Sequence, residues 1–185
     1  MAHDICSALK KVEDGTFLKI LMDHEHYGEL IGPKLTSRFL EKNKQVIYIT
    51  SNKPSSLLQN GLSKNNKESV YFIDMVSGSG SIMSKQEGNT HFMPSPNSLT
   101  EMGISIFVNP QFTKKKKLVV LDSLPSLIER NGKEEVINFL RFLRQRVDNS
   151  GDCGVLLSIV KDGNEEGFAS EFCHEIVNLK KEVIE

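Results

Sequence analysis

The stretch Lys117-Leu118-Val119-Val120-Leu121-Asp122-Ser123-Leu124 limits what this chain can become more than any other. Four apolar residues in a row, two of them β-branched, follow a run of lysines and end in Asp-Ser. A short continuous apolar run between polar signals reads as a strand buried on both faces, as in a parallel sheet. Phe17 to Met22, Gln45 to Thr50, Ser69 to Asp74 and Gly154 to Val160 have the same character, and Ile176-Val177-Asn178-Leu179 begins a sixth.

Helical signals fall between these strands. Expected helices run over 1–16, 30–42, from Ser55 through Leu62, from Ser98 onward, over 133–147 and over 166–174. Ser98 with Glu101 three residues later forms a capping box. In the helix over 133–147, Val136, Phe139, Leu140, Leu143 and Val147 share one face. Glu134 and Glu135 occupy its first turn and Arg144 and Arg146 its last, as the helix dipole prefers. Alternating strands and helices imply βαβ units with right-handed crossovers. The expectation is a three-layer α/β/α domain with a mainly parallel sheet, one domain over 1–185, and a long flexible loop over 76–96 that holds Gly78, Gly80, Gly88, Pro94 and Pro96.

Composition narrows the function classes. Lysine plus arginine (23) nearly balance aspartate plus glutamate (24), so no general attraction to nucleic acid or an anionic membrane is expected. Lys114 to Lys117 could form a local nucleic-acid patch, but a solvated linker is the plainer reading. No apolar run is long enough to span a bilayer, and no signal peptide is evident at the N-terminus. Cys6, Cys153 and Cys173 are odd in number and widely spaced, which disfavours disulfide or zinc frameworks and fits a cytoplasmic protein.

A carboxylate at the carboxyl end of a parallel strand sits where open α/β sheets bind ligands. In phosphate-loop ATPases an Asp there holds Mg²⁺, although an Asp that caps the next turn explains the residue equally well. The loop after the first strand should then read G-x-x-x-x-G-K-[ST]. It reads Gly28-Glu29-Leu30-Ile31-Gly32-Pro33-Lys34-Leu35. The first glycine and the lysine are present, but the second glycine is Pro33 and the hydroxyl residue is Leu35. Pro33 removes a backbone N–H donor from a cradle made of such donors. Leu35 cannot ligate Mg²⁺. Thr36 carries a hydroxyl one residue on, turned about 100° away on a helix. Asp23, Glu25 and Glu29 add negative charge beside any triphosphate. Two like charges about 6 Å apart repel by roughly 3 kcal/mol at an effective dielectric of about 20.

The chain resembles the RecA/KaiC-like superfamily of ATPases. The resemblance rests on Val46-Ile47-Tyr48-Ile49-Thr50 with Lys53-Pro54, Tyr71-Phe72-Ile73-Asp74, Ser95 to Glu101, and Leu118 to Leu124. It is nearest in look to small archaeal KaiC-like proteins with a degenerate Walker A motif. It implies a RecA-like sheet in the order 3-2-4-5-1-6, with the loops at 23–34, 51–54 and 122–124 on one edge. It also implies a vestigial nucleotide site at Gly28, Lys34, Thr36, Asp122 and Ser123. Active members of the family place a glutamate just after strand two, where this chain has Ser51-Asn52-Lys53. The expectation is therefore a pseudo-ATPase with no catalytic residues and no cofactor, associating with itself or with other proteins. Binding of Mg·ATP or weak hydrolysis is the alternative. His24 and His26, with Asp122, are weak candidates for a transition-metal site.

Overall fold

A computed structural model describes residues 15–22, 45–78, 83–94, 99–108, 116–150, 153–160 and 167–178, with the backbone alone at 150, 153 and 155–160. Residues 1–14 of the first expected helix, the helix over 30–42 and the loop over 23–34 lie outside the described residues. Strands β1 (Phe17–Met22), β2 (Gln45–Thr50), β3 (Val70–Asp74), β4 (Lys85–Glu87), β5 (Thr90–Phe92), β6 (Lys117–Asp122), β7 (Cys153–Val160) and β8 (Glu175–Asn178) form one sheet. Its order is β4-β5-β3-β2-β6-β7-β1-β8. Over the six strands foreseen from sequence, this reads β3-β2-β6-β7-β1-β8. All pairings are parallel except β4 with β5.

The helices are α1 (Ser55–Asn60), α2 (Lys64–Ser69), α3 (Leu99–Phe107), α4 (Leu124–Asn131) and α5 (Lys133–Ser150). Every residue of β1, β3 and β6 is buried, as strands covered on both faces require. Ile47, Ile49, Tyr71, Ile73, Val119 and Leu121 point to one side and form a single core cluster with Met102, Ile106, Leu127, Leu140 and Leu143 from α3, α4 and α5. The alternate residues, among them Leu18, Ile20, Val46, Tyr48, Phe72 and Val120, are equally buried. No helix among the described residues is long and apolar enough to cross a membrane.

Three expectations need correction. Part of the 76–96 segment is a hairpin, not a loop. Lys85–Glu87 pairs antiparallel with Thr90–Phe92, and β5 lies parallel to β3. The Phe72 N–H donates to the Asn89 carbonyl (2.8 Å) and the Met93 N–H to the Asp74 carbonyl (2.9 Å). Buried strand edges need such partners, and Lys-Gln-Glu carries no apolar alternation that would announce them. Gly78 belongs to the same packing, since a Cβ there would lie 2.0 Å from the Met93 carbonyl oxygen. Second, the helix expected from Ser55 through Leu62 is α1 and stops at Asn60, and a further helix that was not foreseen, α2, follows it, capped by Ser63 Oγ accepting from the Asn66 N–H. Third, the helix expected over 166–174 is a 3₁₀ turn at Ser170–Phe172.

That turn is tied to β1 by a residue that an apolar reading of the strand passes over. Lys19 is fully buried, and its Nζ donates to the Phe168 carbonyl (3.1 Å) and Ser170 Oγ (2.6 Å). A buried ammonium is tolerated only with such acceptors. His174 completes the tie: its N–H donates to the Phe17 carbonyl, and its Nδ1 accepts the Phe17 N–H at 2.9 Å. Nδ1 therefore carries no proton in this arrangement.

Candidate site at the carboxyl edge of the sheet

The register places three polar strand ends in one row. Thr50 of β2 pairs with Asp74 of β3 on one side and with Asp122 of β6 on the other. Backbone bonds run across the row and continue past the strands. The Ser51 N–H donates to the Asp122 carbonyl (2.8 Å) and the Met75 N–H to the Thr50 carbonyl (3.0 Å). The loop after β2 is held in the same way. Thr50 Oγ1 donates to the Lys53 carbonyl at 2.5 Å. Ser51 Oγ donates to the Ser123 carbonyl (3.0 Å) and accepts the Ser123 N–H (3.1 Å).

Asp122 is 1% exposed. Its Oδ2 accepts the Tyr48 hydroxyl at 2.5 Å. Tyr48 precedes Thr50 by two residues, so it shares the sheet face of Asp122's partner position and its ring reaches the strand end. The ring is fully buried and packs beside Phe72 with centroids 5.7 Å apart. The peptide bond between Asp122 and Ser123 is cis. Ser123 precedes α4, and its hydroxyl pairs with Ser126 Oγ at 3.0 Å.

Asp74 is a second buried carboxylate in the row, and its donors differ. Oδ2 accepts the Ser55 N–H and Ser77 hydroxyl, and Oδ1 accepts the N–H groups of Val76 and Ser77, all at 2.8 Å. Burial pushes its pKa up, but the hydrogen bonds from Ser77 and Ser55 outweigh that and hold it below the usual carboxylate value. Ser55, foreseen as a helix cap, is instead the first residue of α1, and its N–H is satisfied by Asp74.

Of the residues foreseen for a nucleotide site, Asp122 and Ser123 stand together at the edge of the sheet. Gly28, Lys34 and Thr36 lie outside the described residues, as do His24 and His26. Among the described residues, no group of three His, Cys, Asp or Glu side chains is arranged to hold a metal. Sequence reasoning missed Tyr48. The available signal was a phenol inside a buried strand, since a buried tyrosine hydroxyl nearly always finds a partner.

No family model matches the chain, and no curated protein does. Among solved structures, a KaiC-like protein from the hyperthermophilic archaeon Pyrococcus horikoshii OT3 is similar, with a TM-score of 0.59 at 14% identity over 93% of this chain and 75% of that one. At that identity the likeness is one of fold. This chain has a RecA/KaiC-like α/β fold whose mainly parallel sheet carries Asp122 and Ser123 at its carboxyl edge.

Proposed function

We propose that the chain is a RecA/KaiC-like domain without ATP turnover that works by protein association in signalling or regulation. The observation that carries this is the 2.5 Å bond from the Tyr48 hydroxyl to Asp122 Oδ2. A carboxylate at this position would serve hydrolysis by holding Mg²⁺ or its waters. Here a buried phenol occupies one of its oxygens. The altered loop Gly28 to Leu35 supports the same reading, as does the lack of a carboxylate in Ser51-Asn52-Lys53 to activate water. The test is phosphate release from Mg·ATP by the purified chain beside a Lys34→Ala variant. The expected result is no release above buffer from either. Steady release that disappears in Lys34→Ala would overturn the proposal.

One observation favours a second reading, nucleotide binding or weak hydrolysis through Lys34, Thr36 and Asp122. Asp122 and Ser123 stand at the end of a central strand beside Ser51, where ligands of open α/β sheets sit. Under that reading, saturating Mg·ATP raises the melting temperature, because a ligand that binds only the folded state stabilises it.

A further inference from the structure

His174 holds Phe17 by both of its main-chain groups. Its backbone N–H donates to the Phe17 carbonyl (2.8 Å), and its ring Nδ1 accepts the Phe17 N–H (2.9 Å). The register of β8 beside β1 begins one step later, with Glu175 opposite Leu18. The imidazole thus extends that pairing to the first residue of β1. The other end of the ring faces α5, where Nε2 lies 3.6 Å from Asp148 Oδ1. Asp148 in turn accepts from Arg144 Nε through both oxygens (2.9 and 2.8 Å), and an Arg144 Nη1 donor reaches the Phe172 carbonyl (2.7 Å). One ring therefore joins β1, the 3₁₀ turn and α5.

The two ring nitrogens meet opposite chemistry. A backbone N–H only donates, so it is bound only by an unprotonated Nδ1. A carboxylate only accepts, and it holds a charged ring more strongly than a neutral one. The neutral ring serves both contacts when its proton is on Nε2. A proton added at Nδ1 sets two donors against each other across 2.9 Å. The Phe17 contact is then lost and the Asp148 contact is strengthened. The other titratable groups on the packed elements are accounted for. Lys19 from β1 and Arg144 from α5 oppose a charged ring, but each is engaged, Lys19 by Phe168 and Ser170 and Arg144 by Asp148 and Phe172. The Cys173 thiol donates to the Ala169 carbonyl. Glu171 and Glu175, on the ring's own segment, are carboxylates and add to the pull of Asp148. Histidine is the side chain whose ordinary titration falls between about pH 5 and 8, so mild acid is the trigger.

We propose that His174 is an acid-operated latch: protonation of its ring releases the Phe17 N–H in favour of Asp148 and loosens the 167–174 segment from the start of β1. The latch does not depend on the association reading above. The test is NMR on the purified full chain between about pH 8 and about pH 5. It follows the His174 ring shifts together with the hydrogen-exchange protection of the Phe17 amide. Protection should fall at least about fivefold as the ring takes up its proton, the loss expected for one hydrogen bond. His174→Asn keeps an acceptor near the Nδ1 position and cannot titrate, so Phe17 should stay protected across the range. His174→Ala has no acceptor, so Phe17 should be unprotected at both ends. Wild-type protection that survives ring protonation overturns the proposal, as does a ring that is still neutral at about pH 5. An equal loss in acid by His174→Asn also overturns it and assigns the effect to another group. If His174→Ala does not fold, the wild type and His174→Asn still decide between these outcomes.

Discussion

Asp74 and Asp122 end neighbouring strands of β2, sit in one register row on either side of Thr50 and are both almost wholly buried. Their surroundings nevertheless give them different work. Asp74 takes three backbone N–H groups and a hydroxyl from the turn after β3 and the start of α1. It is a local staple, and its ionised form is the one these donors select. Asp122 receives the hydroxyl of Tyr48, 74 residues away in sequence. The two share residue type and place on the strand, yet one is reached by the turn that follows it and the other by a side chain from the adjacent strand. Cys173 extends the contrast. It is a partly buried acid that acts as a donor, its Sγ reaching the Ala169 carbonyl at 3.1 Å. Burial pushes its pKa up to about 11, with Lys19 and Arg144 only partly opposing.

The contrast can be broken most forcefully at Asp74. Asp74→Ala strands four donors, and each stranded buried polar group costs about 1–3 kcal/mol. With partial rescue by water, urea unfolding should show a loss of about 3–5 kcal/mol. The pH dependence checks the cause. Because the folded-state pKa is lowered, ionised Asp74 contributes stability above the unfolded carboxylate value of about 3.9. That contribution disappears as the pH falls through the lowered folded value. The gap between wild type and Asp74→Asn should therefore be widest above about pH 4 and close on further acidification. A gap that widens in acid would contradict the staple.

A smaller effect is expected at the other carboxylate. Tyr48→Phe removes the buried hydrogen bond to Asp122 and keeps the ring, a loss of about 1–3 kcal/mol. A double-mutant cycle with Asp122→Asn should recover most of that as coupling between the two residues. Additivity would mean that the phenol does not hold Asp122. The smallest effect concerns Cys173. Its thiol should react with iodoacetamide at pH 8 more slowly than a free cysteine, which has a pKa near about 8.5. Rapid alkylation of Cys173 in the folded protein would remove it from the comparison.

Much of the architecture was legible because it follows from local pattern. Phe17 to Met22 and Gln45 to Thr50 are strands with the bounds that their apolar runs announce. The face of α5 formed by Val136, Phe139, Leu140, Leu143 and Val147 is in the core as its spacing requires. The hairpin at Lys85–Phe92 was hidden, because its strands are held by the open edge of β3 and not by apolar alternation of their own. Lys19 was hidden for the converse reason: one cation in an apolar strand gives no sign of the acceptors that the 167–174 segment brings to it. At the candidate site, Asp122 and Ser123 were visible as the polar end of a buried run. Tyr48 was not, since only pairing β2 beside β6 brings the phenol to the carboxylate.

The sequence by itself determined the layered α/β class and which strands are buried, because periodicity and apolar runs act over a few residues and need no knowledge of partners. It also shows that Gly28 to Leu35 does not spell G-x-x-x-x-G-K-[ST], having proline at 33 and leucine at 35. Only the tertiary structure decided that the Tyr48 phenol stands at Asp122 and which acceptors meet the buried Lys19 ammonium. Those outcomes depend on contacts between residues far apart in the chain, and a local pattern carries no information about the group that will stand opposite.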